Sequence, residues 1–168
     1  MGRFQVLVDG RPVPDAAWQH RRAAELIKLL ALADGHRAHS EWLQEEMFGG
    51  LAPAAAAANL RKAVHYARTA LGSPDALRRH DEILELCDAL VDAQDFEQQA
   101  LQALDRGTSV ARVAATYGGD LLPEDRYAPW AEAHRDRLRA LHLQLLKAGG
   151  MWEEVLDKTR AMRMHTAA

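Results

Sequence analysis

The stretch Pro53-Ala54-Ala55-Ala56-Ala57-Ala58-Asn59-Leu60-Arg61-Lys62-Ala63-Val64-His65-Tyr66-Ala67-Arg68-Thr69-Ala70-Leu71-Gly72 decides how the rest of the chain is read. Alanine loses no side-chain entropy in a helix, Pro53 suits a helix start and Gly72 suits a C-terminal cap, so the stretch predicts one long helix. On a 3.6-residue wheel Leu60, Val64, Ala67 and Leu71 share one side, while Asn59, Lys62, His65, Tyr66 and Thr69 lie on or beside the other. So narrow an apolar stripe has to dock on a neighbour. The opposite face carries hydrogen-bond donors of the kind that reach phosphates and base edges.

On the N-terminal side, Arg3-Phe4-Gln5-Val6-Leu7-Val8 is β-prone, and Asp9-Gly10 before Arg11-Pro12-Val13 is a strong hairpin signal. Gln19 to Ala33 reads as a helix that buries Ala23, Leu26, Ile27, Leu30 and Leu32 and stops at Asp34-Gly35. A second helix follows over His39–Phe48, with Ser40 as its cap and Leu43, Met47 and Phe48 facing a core. Phe48-Gly49-Gly50-Leu51-Ala52-Pro53 is a loop. Beyond the long helix, Ala76-Leu77-Arg78-Arg79 and Ile83-Leu84-Glu85-Leu86 read as two strands about a turn at His80-Asp81-Glu82. Sheet, three helices and hairpin, in that order, are the arrangement of a winged helix, whose third helix enters the major groove while the hairpin rests on the backbone.

The second half is helical by pattern: Phe96 to about Arg106, Val110 to Tyr117, and Ala128 to Lys147, the last with Trp130, Leu138, Leu141 and Leu145 as core candidates. Gly149-Gly150 breaks the run, and Met151 to Arg163 reads as a further helix with no following partner. Two antiparallel helices joined at Gly-Gly resemble one unit of a helical repeat, which points to a fragment of a longer protein. The expected architecture is mostly α: a winged helix-turn-helix over residues 1–93, then a tetratricopeptide-like helical domain over 94–168.

Charge is unevenly spread. The net charge is -3, yet between Asn59 and Arg79 the cations Arg61, Lys62, Arg68, Arg78 and Arg79 stand against Asp75 alone, and acids dominate from Asp81 onward. A basic patch on an acidic body is the electrostatic footprint of a local polyanion contact. No run has the length of a membrane span or the character of a signal peptide. The one cysteine, Cys87, fits a reducing cytoplasm and reads as a small core residue rather than a nucleophile. His36 and His39 are spaced like metal ligands but straddle a loop and a helix start, so no metal site is expected. Trp18, Trp42, Trp130 and Trp152 read as core or helix-packing anchors. With no phosphate loop, nucleophile elbow or paired carboxylates, neither enzyme activity nor a cofactor is expected.

The order of motifs resembles the bacterial activator family typified by the Streptomyces antibiotic regulatory proteins, which join an OmpR/PhoB-like winged helix to a bacterial transcriptional activator domain of tetratricopeptide-like helices. The resemblance rests on Asp9-Gly10-Arg11-Pro12-Val13, Leu29–Ala33, Asn59-Leu60-Arg61 and Ala70-Leu71-Gly72 in the first half. In the second it rests on Val91-Asp92-Ala93, Asp95-Phe96-Glu97, Tyr117-Gly118-Gly119-Asp120-Leu121-Leu122-Pro123, Trp130 and Arg135-Asp136-Arg137-Leu138. It implies a transcription factor that binds double-stranded promoter DNA, as a homodimer where sites repeat, recruits RNA polymerase, and continues into a C-terminal regulatory domain.

By that resemblance Ala54–Leu71 is the recognition helix, with Asn59, Arg61, Lys62, His65, Tyr66, Arg68 and Thr69 facing DNA. Arg78 and Arg79 belong to the wing, and the loop from Phe48, Gly49, Gly50 and Leu51 to Pro53 meets polymerase. An alternative stays open. The acids Asp81 and Glu82 at the wing tip repel phosphate, and on that reading the winged helix is a degenerate scaffold that binds protein partners only.

Overall fold

A computed structural model describes residues 2–154 and Leu156. The chain is mostly helical with two small antiparallel sheets, and it divides into two compact units at Leu90/Val91.

The first unit opens with β1 (Leu7–Val8) and β2 (Arg11–Pro12), paired with Val8 opposite Arg11. Asp9 and Gly10 between them both have positive φ, 51° and 74°, as the tight turn of such a hairpin requires. Helix α1 (Arg21–Leu32) buries Ala23, Leu26, Ile27, Leu29, Leu30 and Leu32. Arg37–His39 then forms strand β3, which the sequence pattern missed, and β3 runs directly into α2 (Ser40–Phe48). Helix α3 (Pro53–Leu71) begins on its proline and ends at Gly72, whose φ of 68° lets the Ser73 N–H return to the Arg68 carbonyl at 3.2 Å. Strands β4 (Leu77–His80) and β5 (Ile83–Leu86) close the unit, and β5 lies between β3 and β4 in a three-stranded sheet.

The expected apolar side of α3 is buried at Leu60, Ala67 and Leu71, joined by Ala56 and Ala63, with Val64 only half-buried. It packs on α1 and α2. Leu26, Leu30, Leu43 and Leu77 are wholly inaccessible, each contributing roughly 1.5–3 kcal/mol relative to exposure. Two polar ties then fix the closing hairpin to the helices. Ser40 donates both its N–H and its hydroxyl to the Glu82 carbonyl, at 2.7 and 2.8 Å. Ser40 is therefore not the cap of α2: the imidazole of His39 takes that place, its Nδ1 accepting from the Glu41 N–H at 3.3 Å. The second tie is the Arg68 guanidinium, which donates to the Leu77 carbonyl through Nε at 3.1 Å and Nη2 at 2.6 Å.

In the second unit α4 (Asp92–Arg106), α5 (Val110–Ala114) and α6 (Pro129–Ala148) pack on one another. Their core is Phe96, Ala100, Val113, Leu138, Leu141, Leu145 and Leu146. The loop before α6 tucks in Leu121 and Leu122. Arg135 is buried and donates to the carbonyls of Asp125 and Ala128, at 3.1 and 3.0 Å, which pins α6 to the turn that precedes it. Of the tryptophans, Trp18 and Trp130 are half-buried, whereas Trp42 and Trp152 are exposed and anchor no core. Cys87 is half-buried. The helix expected over Met151–Arg163 is described only at Trp152–Glu154 and Leu156, and its remainder lies outside the described residues.

Tyr117 stacks on buried His142, with centroids 4.1 Å apart, and meets Phe96 at 5.4 Å. Its hydroxyl donates to Asp120, which also takes a two-pronged contact from Arg139 at 2.9 and 2.6 Å. Burial, and then the neighbouring Asp120 charge, push the phenol from 10.0 up to about 12. The neutral phenol is the form the fold favours, so its stabilisation is complete below pH 10 and is lost as pH rises toward 12. In an absorbance titration, the step that Tyr117→Phe removes is expected to lie near 12 rather than near 10. Loss of a step near 10 in that variant would contradict this environment.

Candidate nucleic-acid interface

Helix α3 docks by one side, and the opposite side stays in solvent. Arg61, Lys62, His65, Tyr66 and Thr69 are exposed there and Asn59 is half-buried. Arg61 and Lys62 make no salt bridge among the described residues, so their charges are available to an anion. Arg61, Lys62, His65 and Tyr66, with Ala58, line a shallow depression along the helix.

A groove adjoins that depression and shares Lys62 and Tyr66 with it. Its far wall is the start of α1, with His20, Arg21 and Arg22, and its floor includes Phe48 and Asn59. The His20 and Tyr66 rings stack with centroids 3.5 Å apart and planes 13° from parallel, while His65 meets Tyr66 edge-on at 5.3 Å. Tyr66 is thus held between two imidazoles rather than left to rotate. Arg22 pairs with Glu25 at 2.5 Å and lies over the Phe48 ring at 5.2 Å. Arg21 is exposed and makes no salt bridge among the described residues.

These α1 residues were missed in the sequence, although a signal was present. Helix N-termini carry partial positive charge and favour acids, each well-placed charge being worth about 0.3–1 kcal/mol. The first turn of α1 instead holds two arginines and no acid, and His20 makes no side-chain cap. Glu25 matches Arg22, which leaves Arg21 as the cation of that turn with no salt bridge among the described residues.

Arg68, Thr69, Arg78 and Arg79 line neither the depression nor the groove. Arg68 is occupied by the Leu77 carbonyl and acts as a structural tie. The Thr69 hydroxyl donates to the His65 carbonyl of its own helix at 3.0 Å. Arg79 pairs with Glu82 at 2.9 Å and donates to the Asp81 carbonyl at 2.8 Å, so its charge is locally neutralised. Arg78 is exposed on the other face of the sheet, in register with Glu85, which has Arg37 as its opposite neighbour.

In the loop after α2, Phe48 is buried in the core of its unit and reaches the surface only at the groove beside α1. Gly49 and Gly50 form a turn closed by the Leu51 N–H on the Phe48 carbonyl at 3.1 Å, and Leu51 projects with 48% of its surface exposed. A side chain at Gly49 would meet the Glu45 carbonyl at 2.8 Å, so only glycine fits there.

His36 and His39 do not converge on a ligand. The Nδ1 atom of His36 is buried without a partner, and His39 caps α2. Among the described residues no group of three or more His, Cys, Asp or Glu is placed to hold a metal ion, and no helix is long and apolar enough to cross a membrane. Compared with known proteins, the sequence matches no family model and no curated protein.

The division of labour among the arginines is directly measurable. Arg68→Ala is expected to lower the stability of residues 4–90 by about 1.5–3 kcal/mol, the range for a hydrogen bond from a charged group, in a urea melt. An unchanged midpoint would show that the tie contributes nothing.

Proposed function

We propose that residues 4–90 form a winged helix-turn-helix domain that binds double-stranded DNA, with α3 in the major groove, and that the chain is a transcriptional activator. The order of a β-hairpin, three helices and a closing hairpin supports this arrangement. One observation carries the reading of function. A long helix, docked by its apolar side, turns Arg61, Lys62, His65 and Tyr66 outward as one continuous cationic and aromatic face. Lys62 and Arg61 supply attraction to phosphates, while Asn59 and Tyr66 carry hydrogen-bonding groups of the kind that read base edges. Arg78 on the outer face of the hairpin is the cation left for a backbone contact by the wing. Leu51 is the exposed side chain of the turn after α2 and is the point offered to RNA polymerase. The helical second unit corresponds to the activator domain of the family that the sequence resembles.

A second reading has support of its own. Glu82 neutralises Arg79 on the hairpin, and α2 exposes Glu41, Glu45, Glu46 and Trp42. Those features suit a scaffold that docks proteins without DNA.

Salt dependence separates the two. With random-sequence duplex DNA, affinity is expected to fall steeply between about 50 and 200 mM salt, as counterion release requires. Lys62→Ala is expected to flatten the logarithmic slope by about 0.9, the share of one phosphate contact. No binding at the lowest salt would overturn the DNA reading and leave the scaffold.

A further inference from the structure

We propose that the groove between the start of α1 and the middle of α3 is a phosphate clamp, a second contact with the sugar-phosphate backbone of the duplex that α3 engages. The clamp rests on the DNA-binding reading above and widens it from one helix to two. Cations enter the groove from both sides: Arg21 and Arg22 from α1, Lys62 from α3. No carboxylate lines it. Arg22 is shared with Glu25, which leaves Arg21 and Lys62 as the pair whose charges face an incoming anion.

The stacked rings of His20 and Tyr66, 3.5 Å apart, bridge the two helices along the same groove. That stack holds the cationic start of α1 against α3 before any ligand arrives, so little ordering remains for binding to drive. A concave cationic surface with low-dielectric walls also concentrates its potential on whatever enters. The occupant must be an extended polyanion rather than one isolated charge. Lys62 belongs at once to the groove and to the depression lined by Arg61 and His65, so the positive surface is a track. Duplex DNA, with one charge per about 1.7 Å of axis, matches such a track.

Phosphate contacts set affinity and its salt dependence but carry no sequence information, which makes the clamp separable from base reading. In the full chain, Arg21→Gln is expected to flatten the salt slope by about 0.9, so that a fourfold rise in salt weakens the variant about threefold less than the unsubstituted chain. Its ranking of different duplex sequences is expected to stay the same, and Arg21→Lys to keep the original slope. An unchanged slope for Arg21→Gln beside a flattened one for Lys62→Ala would overturn the clamp while leaving the DNA reading intact. No duplex binding by the unsubstituted chain would overturn both. Tighter binding of poly-glutamate than of duplex, weakened by Arg21→Gln, would assign the groove to acidic polypeptides and overturn the clamp.

Discussion

The grip of the Arg68 guanidinium on the Leu77 carbonyl, at 2.6 and 3.1 Å, is the constraint on which the arrangement of residues 4–90 depends. It joins the last turns of α3 to the first residue of β4. Ser40, holding the Glu82 carbonyl, joins the start of α2 to the far end of the same hairpin. With both ties in place the β4–β5 hairpin cannot slide along the helices, and β3 finds its register opposite β5. The side of α3 left over is then fixed by elimination. Its stripe of Ala56, Leu60, Ala63, Ala67 and Leu71 is committed to the core, so Arg61, Lys62 and Tyr66 have nowhere to point but outward.

Magnitudes explain why the surface can keep its awkward cations. Placing Arg21 and Arg22 at the positive end of α1 costs on the order of 1 kcal/mol. The same helix buries Leu26 and Leu30 completely, and each such side chain contributes roughly 1.5–3 kcal/mol. Packing wins by a margin wide enough to tolerate a local electrostatic penalty on the solvent face. The hairpin shows the opposite solution, since Arg79 there is matched by Glu82. Cationic potential is thus concentrated on the α1–α3 face and spent locally near the hairpin tip.

What was legible in the sequence follows from the range of the interactions involved. The helical period set α1 and α3, and Asp9-Gly10 set the first hairpin, because those signals are local. Strand β3 was not legible: Arg37-Ala38-His39 has one apolar position, and its extended shape comes from pairing with Ile83–Glu85. Ser40 looked like a cap because the residue type suits one, but a carbonyl 42 positions away claims its hydroxyl. Arg61 and Arg68 lie seven residues apart on the same helix and are indistinguishable on a wheel. Only the Leu77 carbonyl makes one a strut and leaves the other free. Phe48 was legible as a core residue, and the structure buries it. The contribution of α1 to the site was hidden because it depends on which helix start lies beside Tyr66.

The proposed DNA-binding role places the nucleic-acid surface on the face shared by α1 and α3. Its most direct test is an NMR titration of the isotope-labelled chain with a short duplex, following the backbone amides. With duplex seated there, the resonances of residues 20–22 and 59–66 are expected to move together, while those of α2's acidic side, residues 41–46, and of α4 through α6 stay in place. Shifts centred on α2 or on the second unit, or no shifts at all, would contradict it.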